Sequence, residues 1–505
     1  MNNKLIILFF IFIISFPLFS QERFGISNSL YSGISNNKFN PALLAGSPYK
    51  WDFNLVSAHV YLDNNYVYIF QTNIPDIIAD NGETEVIIDN DWNADKGNFS
   101  KYMFENKIHN NWRKNIYSSV IVEGPSFMFN VKKWTFAAEE ALRVGVSANR
   151  IHEIPASFIF EGISYEELQD REITIPKFRA NAMVWSEIGI SVSRRIMEKK
   201  GRQLKAGITL KHLIGYGGAY ALNKNINVNI PNDTSIIFNS VNAEYGYAIN
   251  MDDFYDPDNS EKPFDVGGII RNPKGHGKSF DIGITYEKKA LENKYQCPNF
   301  CNKKLEIQYS WKIGFSFLDI GYIRFNKSAK TFNFENTSGD WYNESTKCED
   351  FNGIDSLLSD YFNDSPNPKV QSTEFTMFLP WAACLSYDYN IGYNFYINGS
   401  WIQRIPHFGL PGIDRANSIA ITPRFDHKNI GVAMPIVFHE YLWPRIGIAL
   451  RIDNFLLIGT DKLGAIIGNR LSGADIYVAL KFNELKKCKK KKTMPSFLPS
   501  NISVK

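Results

Sequence analysis

Residues 305–317 read LEIQYSWKIGFSF. Leu305, Ile307, Tyr309, Trp311, Ile313, Phe315 and Phe317 alternate with Glu306, Gln308, Ser310, Lys312, Gly314 and Ser316. Successive side chains of a strand point to opposite faces, so this strand has one apolar face and one polar or small face. Its 13 residues exceed the five or six usual in soluble sheets. A tilted strand needs about 9–11 residues to cross the hydrocarbon of a bilayer.

The pattern recurs outward from that stretch. Phe280, Ile282, Ile284 and Tyr286 alternate with Asp281, Gly283, Thr285 and Glu287. Ala206, Ile208 and Leu210 interleave with Lys205, Gly207, Thr209 and Lys211, and Ile188, Ile190 and Val192 with Glu187, Gly189, Ser191 and Ser193. Trp381, Ala383, Leu385 and Tyr387 lead into an expected turn at Asp388-Tyr389-Asn390, and Tyr393, Phe395, Ile397 and Trp401 form the returning face. Ile446, Ile448, Leu450 and Ile452 follow, and Ile476, Val478, Leu480 and Phe482 come last. A soluble β-sandwich also alternates. Here, however, rings crowd the apolar faces while charge sits beside Gly and Ser on the others, as lipid outside and a polar lumen inside require. The expected fold is all-β, a transmembrane antiparallel barrel of about 14–16 strands between Trp51 and Phe482, since single-chain bacterial barrels have even strand numbers. Turns at Lys132-Lys133, Asp388–Asn390 and Asp426–Asn429 are short, and connections near 73–117, 149–178, 221–278 and 327–372 are long. Counting strands back from a periplasmic C-terminus slips by one beyond about residue 289, which a further strand around Ser235–Asn250 would repair.

Composition agrees. The 505 residues carry 55 Lys+Arg against 52 Asp+Glu, so no basic excess points to nucleic acid. Aromatic residues make up 14% (38 Phe, 25 Tyr, 10 Trp), more than a soluble enzyme usually needs. Residues 1–20 read as a signal peptide: Lys4, an apolar run from Leu5 to Phe16, Pro17, and small Ser20 before Gln21. That run is too short to span a bilayer, and no later window is apolar enough for a transmembrane helix. Backbone satisfaction in lipid then leaves a closed barrel. A loop disulfide between Cys297 and Cys301 is open in an oxidising compartment. No second Cys or His pair at ligand spacing supports zinc, and Cys384 lies within a strand.

Asn40-Pro41-Ala42, within SNNKFNPALLAGS (35–47) just before the first strand, resembles the start of several Bacteroidetes outer-membrane barrel families. These are the PorP/SprF-type barrels linked to type IX secretion and gliding, and the PorV and long-chain fatty-acid-transporter-like barrels. The chain is most similar to a related barrel family of unknown function. The segments WSEIGISVSR (185–194), KAGITLKHLIGYGGAY (205–220), FDIGITYE (280–287), FLDIGYIRF (317–325), ITPRF (421–425), IGIALRI (446–452) and GADIYVALKF (473–482) carry that resemblance by their order. It implies a barrel over 50–484 and a lumenal hatch over 21–49 with Asn40, Pro41 and Ala42 as its motif; the residues themselves add the signal peptide over 1–20 and a Lys-rich periplasmic tail over 485–505.

No nucleophile elbow, zinc helix or phosphate loop is present, and no catalytic residue, metal or cofactor is expected. Asp252, Asp253, Asp256, Asp258 and Glu261 cluster, but Pro257 interrupts them and the glycine of a calcium loop is missing. His212 and Glu187 fall on neighbouring strands, as an acid/base pair on a barrel wall would. Lys211, Asp281, Glu306 and Lys312 are candidate lumen charges that tune solute passage or pair with one another. Lys486, Lys487 and Lys489–Lys492 flank the end of the barrel or bind an envelope surface. Gly473–Asn483 is expected to close the barrel against Trp51–Leu62. Expected partners are outer-membrane lipid and envelope proteins. The function expected first is a non-enzymatic scaffold for cell-surface export or assembly. The alternative is an outer-membrane channel for a small or hydrophobic solute.

Overall fold

The computed structural model describes residues 23–70, 73–79, 104–106, 113–152, 155, 169–232, 234–249, 266–289, 309–342, 351–363, 369–442, 444–453, 455–468 and 470–486. Fourteen antiparallel strands close on themselves. In chain order they are β1 (Tyr49–Asn64), β2 (Lys114–Glu123 and Ser126–Val131), β3 (Trp134–Ile151), β4 (Glu172–Ile175 and Phe178–Lys199) and β5 (Arg202–Asn232). Then follow β6 (Ser235–Tyr247 and Gly275–Lys289), β7 (Tyr309–Phe325 and Lys330–Tyr342), β8 (Phe375–Phe378 and Ala382–Gly392), β9 (Phe395–Arg404) and β10 (Ser418–Asp426). The last four are β11 (Ile430–Ala433 and Ile436–His439), β12 (Pro444–Ile446 and Ile448–Ile452), β13 (Leu456–Thr460) and β14 (Gly473–Leu485). β14 pairs with β1 in the expected place, from Trp51↔Glu484 to Asp63↔Gly473, so both edges are consumed. Among the described residues, no helix is long and apolar enough to cross a membrane.

The wall is the reverse of a soluble protein. Ile190, Leu210, Ile282, Phe315 and Ile421 are exposed, while Glu187, Lys211, Asp281, Ser316 and Thr422 on the same strands are buried. Only lipid outside makes that arrangement favourable, so this is an outer-membrane β-barrel. Rings gather near the short-turn rim. Trp134 stacks on Phe136 and Phe136 on Phe129, Arg194 lies 4.6 Å over Trp134, and Phe395–Phe425 and Phe455–Phe482 form further pairs.

Several expectations change. The turn expected at Asp388–Asn390 lies inside β8. The chain reverses at Tyr393-Asn394, both at positive φ (51° and 67°), which suits the twist of a two-residue hairpin. Tyr309 is not on the lipid face. A register shift at Lys288/Lys289 turns it into the lumen, where it is 2% exposed. Ser235–Tyr247 is a strand, but it descends in line with Gly275–Lys289 against the same β5, so it forms the upper half of β6 rather than a separate crossing. Much of the loops expected at 221–278 and 327–372 is strand for the same reason. At 31 residues and about 3.3 Å each, β5 is far longer than a bilayer requires. Its outer part carries Asn225, Asn227 and Asn229 between Ile226, Val228 and Ile230. That part joins the outer parts of β4, β6 and β7 in a sheet beyond the membrane. Ile173, Val228, Ile230 and Ile236 form its core, and the helix Phe351–Asn363 packs Phe362 against Phe238 and Phe334.

Candidate functional site: the occupied lumen

Residues 23–48 precede β1 and fold into the barrel as two short 3-10 turns, Gly33–Lys38 and Pro41–Gly46. Asn40 starts the second. Its side chain accepts from Ala42 N at 2.9 Å, and Pro41 supplies a first position that needs no N–H. The Asn40 amide donates to Ile284 O and Phe315 O, each at 3.2 Å, on the paired strands β6 and β7. The wall is bare there. Gly207 and Gly283 are direct partners on β5 and β6, with Gly314 on β7 beside them. A Cβ on Gly207 would meet Pro41 C at 2.5 Å and Ala42 N at 2.7 Å, and one on Gly283 would overlap the Asn40 side chain. The three glycines form a flat seat for Asn40-Pro41-Ala42.

Inward polar side chains hold the rest of the segment. Arg23 pairs with Glu123 at 2.8 Å and Phe24 N donates to Asp461 at 2.8 Å. Asp426 accepts from Ser29 Oγ at 2.8 Å and Leu30 N at 3.0 Å. Lys312 and Lys481 donate to the carbonyls of Asn28 (3.1 Å) and Ser32 (2.6 Å). Asn37 donates to Glu139 and Ser191, both at 2.9 Å. Lys38 pairs with Glu187 at 2.6 Å and Glu139 at 3.2 Å. Burial opposes the Lys38 charge, but the two glutamates outweigh it and hold the ammonium above the usual lysine range.

Beyond Lys38 the network continues toward the long-loop side. Asp319 takes Arg143 (3.0 Å), Lys211 (2.9 Å) and Arg415 (2.6 Å), while Lys211 also pairs with Asp281 at 2.7 Å and Arg143 with Glu187 at 3.3 Å. Four cations (Lys38, Arg143, Lys211, Arg415) thus meet four carboxylates (Glu139, Glu187, Asp281, Asp319). Asp319 reaches this hub because the chain bulges there, at φ 55° and with a register shift between Phe280 and Ile282. Toward the long-loop rim lies an apolar lumen cluster that includes Met183, Trp185, Leu213, Tyr220, Phe325, Phe375, Met377 and Ile413, with Trp381 against it. Two cavities of about 20 Å³ each, room for about one water, lie between residues 24–32 and the wall strands β10–β14.

Asn40, Pro41 and Ala42 therefore sit together in the lumen, and Lys211, Asp281 and Lys312 face it. Glu306, Cys297, Cys301, the 252–261 acidic cluster and the tail beyond Lys486 lie outside the described residues. His212 and Glu187 are not brought together. Glu187 pairs in register with Leu213 and points inward, while His212 points outward and stacks on His276 at 5.9 Å. Sequence reading missed Lys38, Glu139, Arg143, Asp319 and Arg415. The consecutive Leu318-Asp319, which breaks the alternation of β7, was the available signal for the bulge.

No curated protein matches the chain. Among solved structures it is similar to the P. putida toluene transporter TodX (9% identity, TM-score 0.37, covering 91% of this chain and 95% of that chain). It is also similar to the deltaS2S3 mutant of the TodX monoaromatic hydrocarbon channel (10%, 0.39, 91% and 96%). A third similar structure is the Ralstonia pickettii toluene transporter TbuX (8%, 0.36, 88% and 92%). The model of a family described as "Family of unknown function (DUF5723)" matches residues 41–461.

Proposed function

This chain belongs to the DUF5723 family, and from its lumen we propose that it is a non-enzymatic transport barrel that passes a small apolar solute across the outer membrane when its N-terminal hatch yields. The observation that carries this reading is how the hatch is held. Residues 23–47 meet the wall through side-chain hydrogen bonds, ion pairs and apolar contacts such as Phe39 and Leu43 against Leu318 and Ile402, all breakable without opening a strand ladder. The Met- and aromatic-rich cluster beside them offers an adaptable apolar surface. The test is planar-bilayer conductance of the whole chain and of a variant lacking residues 23–48. The intact barrel should be silent and the variant should conduct in steps. A variant that folds but stays silent refutes the reading.

The sheet beyond the membrane favours a second reading, an accessory scaffold for cell-surface export or assembly of the type IX secretion or gliding kind. Purification from outer membranes in mild detergent should then recover a stoichiometric protein partner, and recovery of the barrel alone counts against it.

A further inference from the structure

Four nitrogen-bearing side chains break the lipid face of the wall in one place. Outward positions can be followed across strands by register. Ile188 of β4, His212 of β5, Lys278 of β6 and Tyr322 of β7 form one row. The next row toward the long loops holds Ile214, His276 and Arg324. The row on the other side holds Leu210, Phe280 and Ile320, and below it lie Ile208, Ile282 and Phe317. Those lower rows are the hydrocarbon belt, with Leu210 61% and Phe280 40% exposed. The polar rows start where the belt stops. At about 4.8 Å between strands and about 6.7 Å between rows, the four side chains share a patch roughly 10 Å across. The rings of His212 and His276 stack at 5.9 Å. Tyr322, half exposed, stands beside Lys278. Glu374 also faces the patch, as a bidentate partner of Arg324 at 2.6 and 2.7 Å that leaves Lys278 and the imidazoles to other acceptors.

From this placement we infer that His212, His276, Lys278 and Arg324 form a binding site for the phosphate of an acidic lipid head group. Barrels of this kind place long loops outside, which puts the patch in the outer leaflet. Charge on the lipid face is costly within hydrocarbon and cheap at head-group depth, where an anionic partner repays the desolvation. Lys278 supplies the field, Arg324 offers Nη1, which Glu374 does not take, and imidazole N–H groups donate to phosphate oxygens in either protonation state. The acyl chains of such a lipid would run down over Leu210, Phe280 and Ile282, which a free phosphate would leave uncovered.

The purified whole barrel in neutral detergent, offered lipid A with two, one or no phosphates, tests this by native mass spectrometry. Lipid retention should fall with each phosphate removed, and inorganic phosphate should not displace the lipid. The variant H276Q/K278Q, altered only on the lipid face, should retain the diphosphorylated lipid at least tenfold less well. Equal retention of the phosphate-free lipid overturns the inference, as does undiminished retention by a folded variant. The phosphate series on the unaltered barrel decides the matter if the variant does not fold.

Discussion

Asn40 closes its own turn through Oδ1 and ties the turn to two wall carbonyls through Nδ2. Asn40→Ala should remove a cap and two hydrogen bonds, together about 2–3 kcal/mol of seating. Limited proteolysis should then cut within residues 23–48 at protease levels that leave the native segment intact. Gly283→Val should act from the other side, because its side chain would occupy the space of the Asn40 carboxamide. Unchanged protection in both variants would discard the glycine seat. Lys462 gives a pH signature. It caps the outer end of β13, 3.1 Å from Asp63, and burial pushes its ammonium down to about 8 despite that carboxylate, with Arg445 adding to the fall. The folded barrel releases this proton before the unfolded chain does, so stability from this group rises as pH climbs from about 8 to its ordinary value of 10.5. Urea midpoints across that window should increase for the native chain and flatten in Lys462→Met, where Asp63 keeps Arg445 at 2.7 Å. Parallel slopes would show that Lys462 does not titrate there.

β14 is the element on which closure depends. It pairs with β1 over nearly its whole length and with β13 only from Gly459↔Tyr477 to Leu456↔Leu480, because β13 is five residues long. Deleting residues 473–485 should leave β1 and β13 as open edges in lipid, with no route to satisfy their N–H and C=O groups. The heat-dependent mobility shift of a folded barrel in detergent electrophoresis should be absent, and a retained shift would show that another pair closes the wall. β14 was legible because alternation, a final ring at Phe482 and the flanking lysines all point to the same boundary. β6 was not. Its two halves are separated by more than 25 residues of sequence, and only their shared partners β5 and β7 show that they are one stave. The expected turn at Asp388–Asn390 failed for a related reason. Those polar residues are turn formers in isolation, but Asp388 faces the lumen, where Arg424 Nη2 reaches it at 2.7 Å.

At the scale of the molecule, one wall separates two solvents of opposite kind. Ile190, 64% exposed, sits one residue from Ser191, which is fully buried and bonded to Asn37. Ile190→Arg should cost about 2–4 kcal/mol in lipid vesicles if it lies near the bilayer midplane, whereas Tyr393→Arg at the short-turn rim should cost at most about 1. A shift in urea midpoint that does not differ between the two would contradict this placement of the membrane. The sequence by itself determined that the chain is a lipid-facing barrel, where its walls begin and end, and that a segment with Asn-Pro-Ala precedes them. Alternation is a local property, and burial of alternate residues against lipid follows from it directly. Only the tertiary structure decided what fills the lumen. Lys38 meets Glu187 across 149 residues of sequence and Arg143 meets Asp319 across 176, and no local pattern encodes such pairs. Closing the sheet brings those distant inward positions within ion-pair distance, because a curved wall directs every second side chain of fourteen strands toward one small interior.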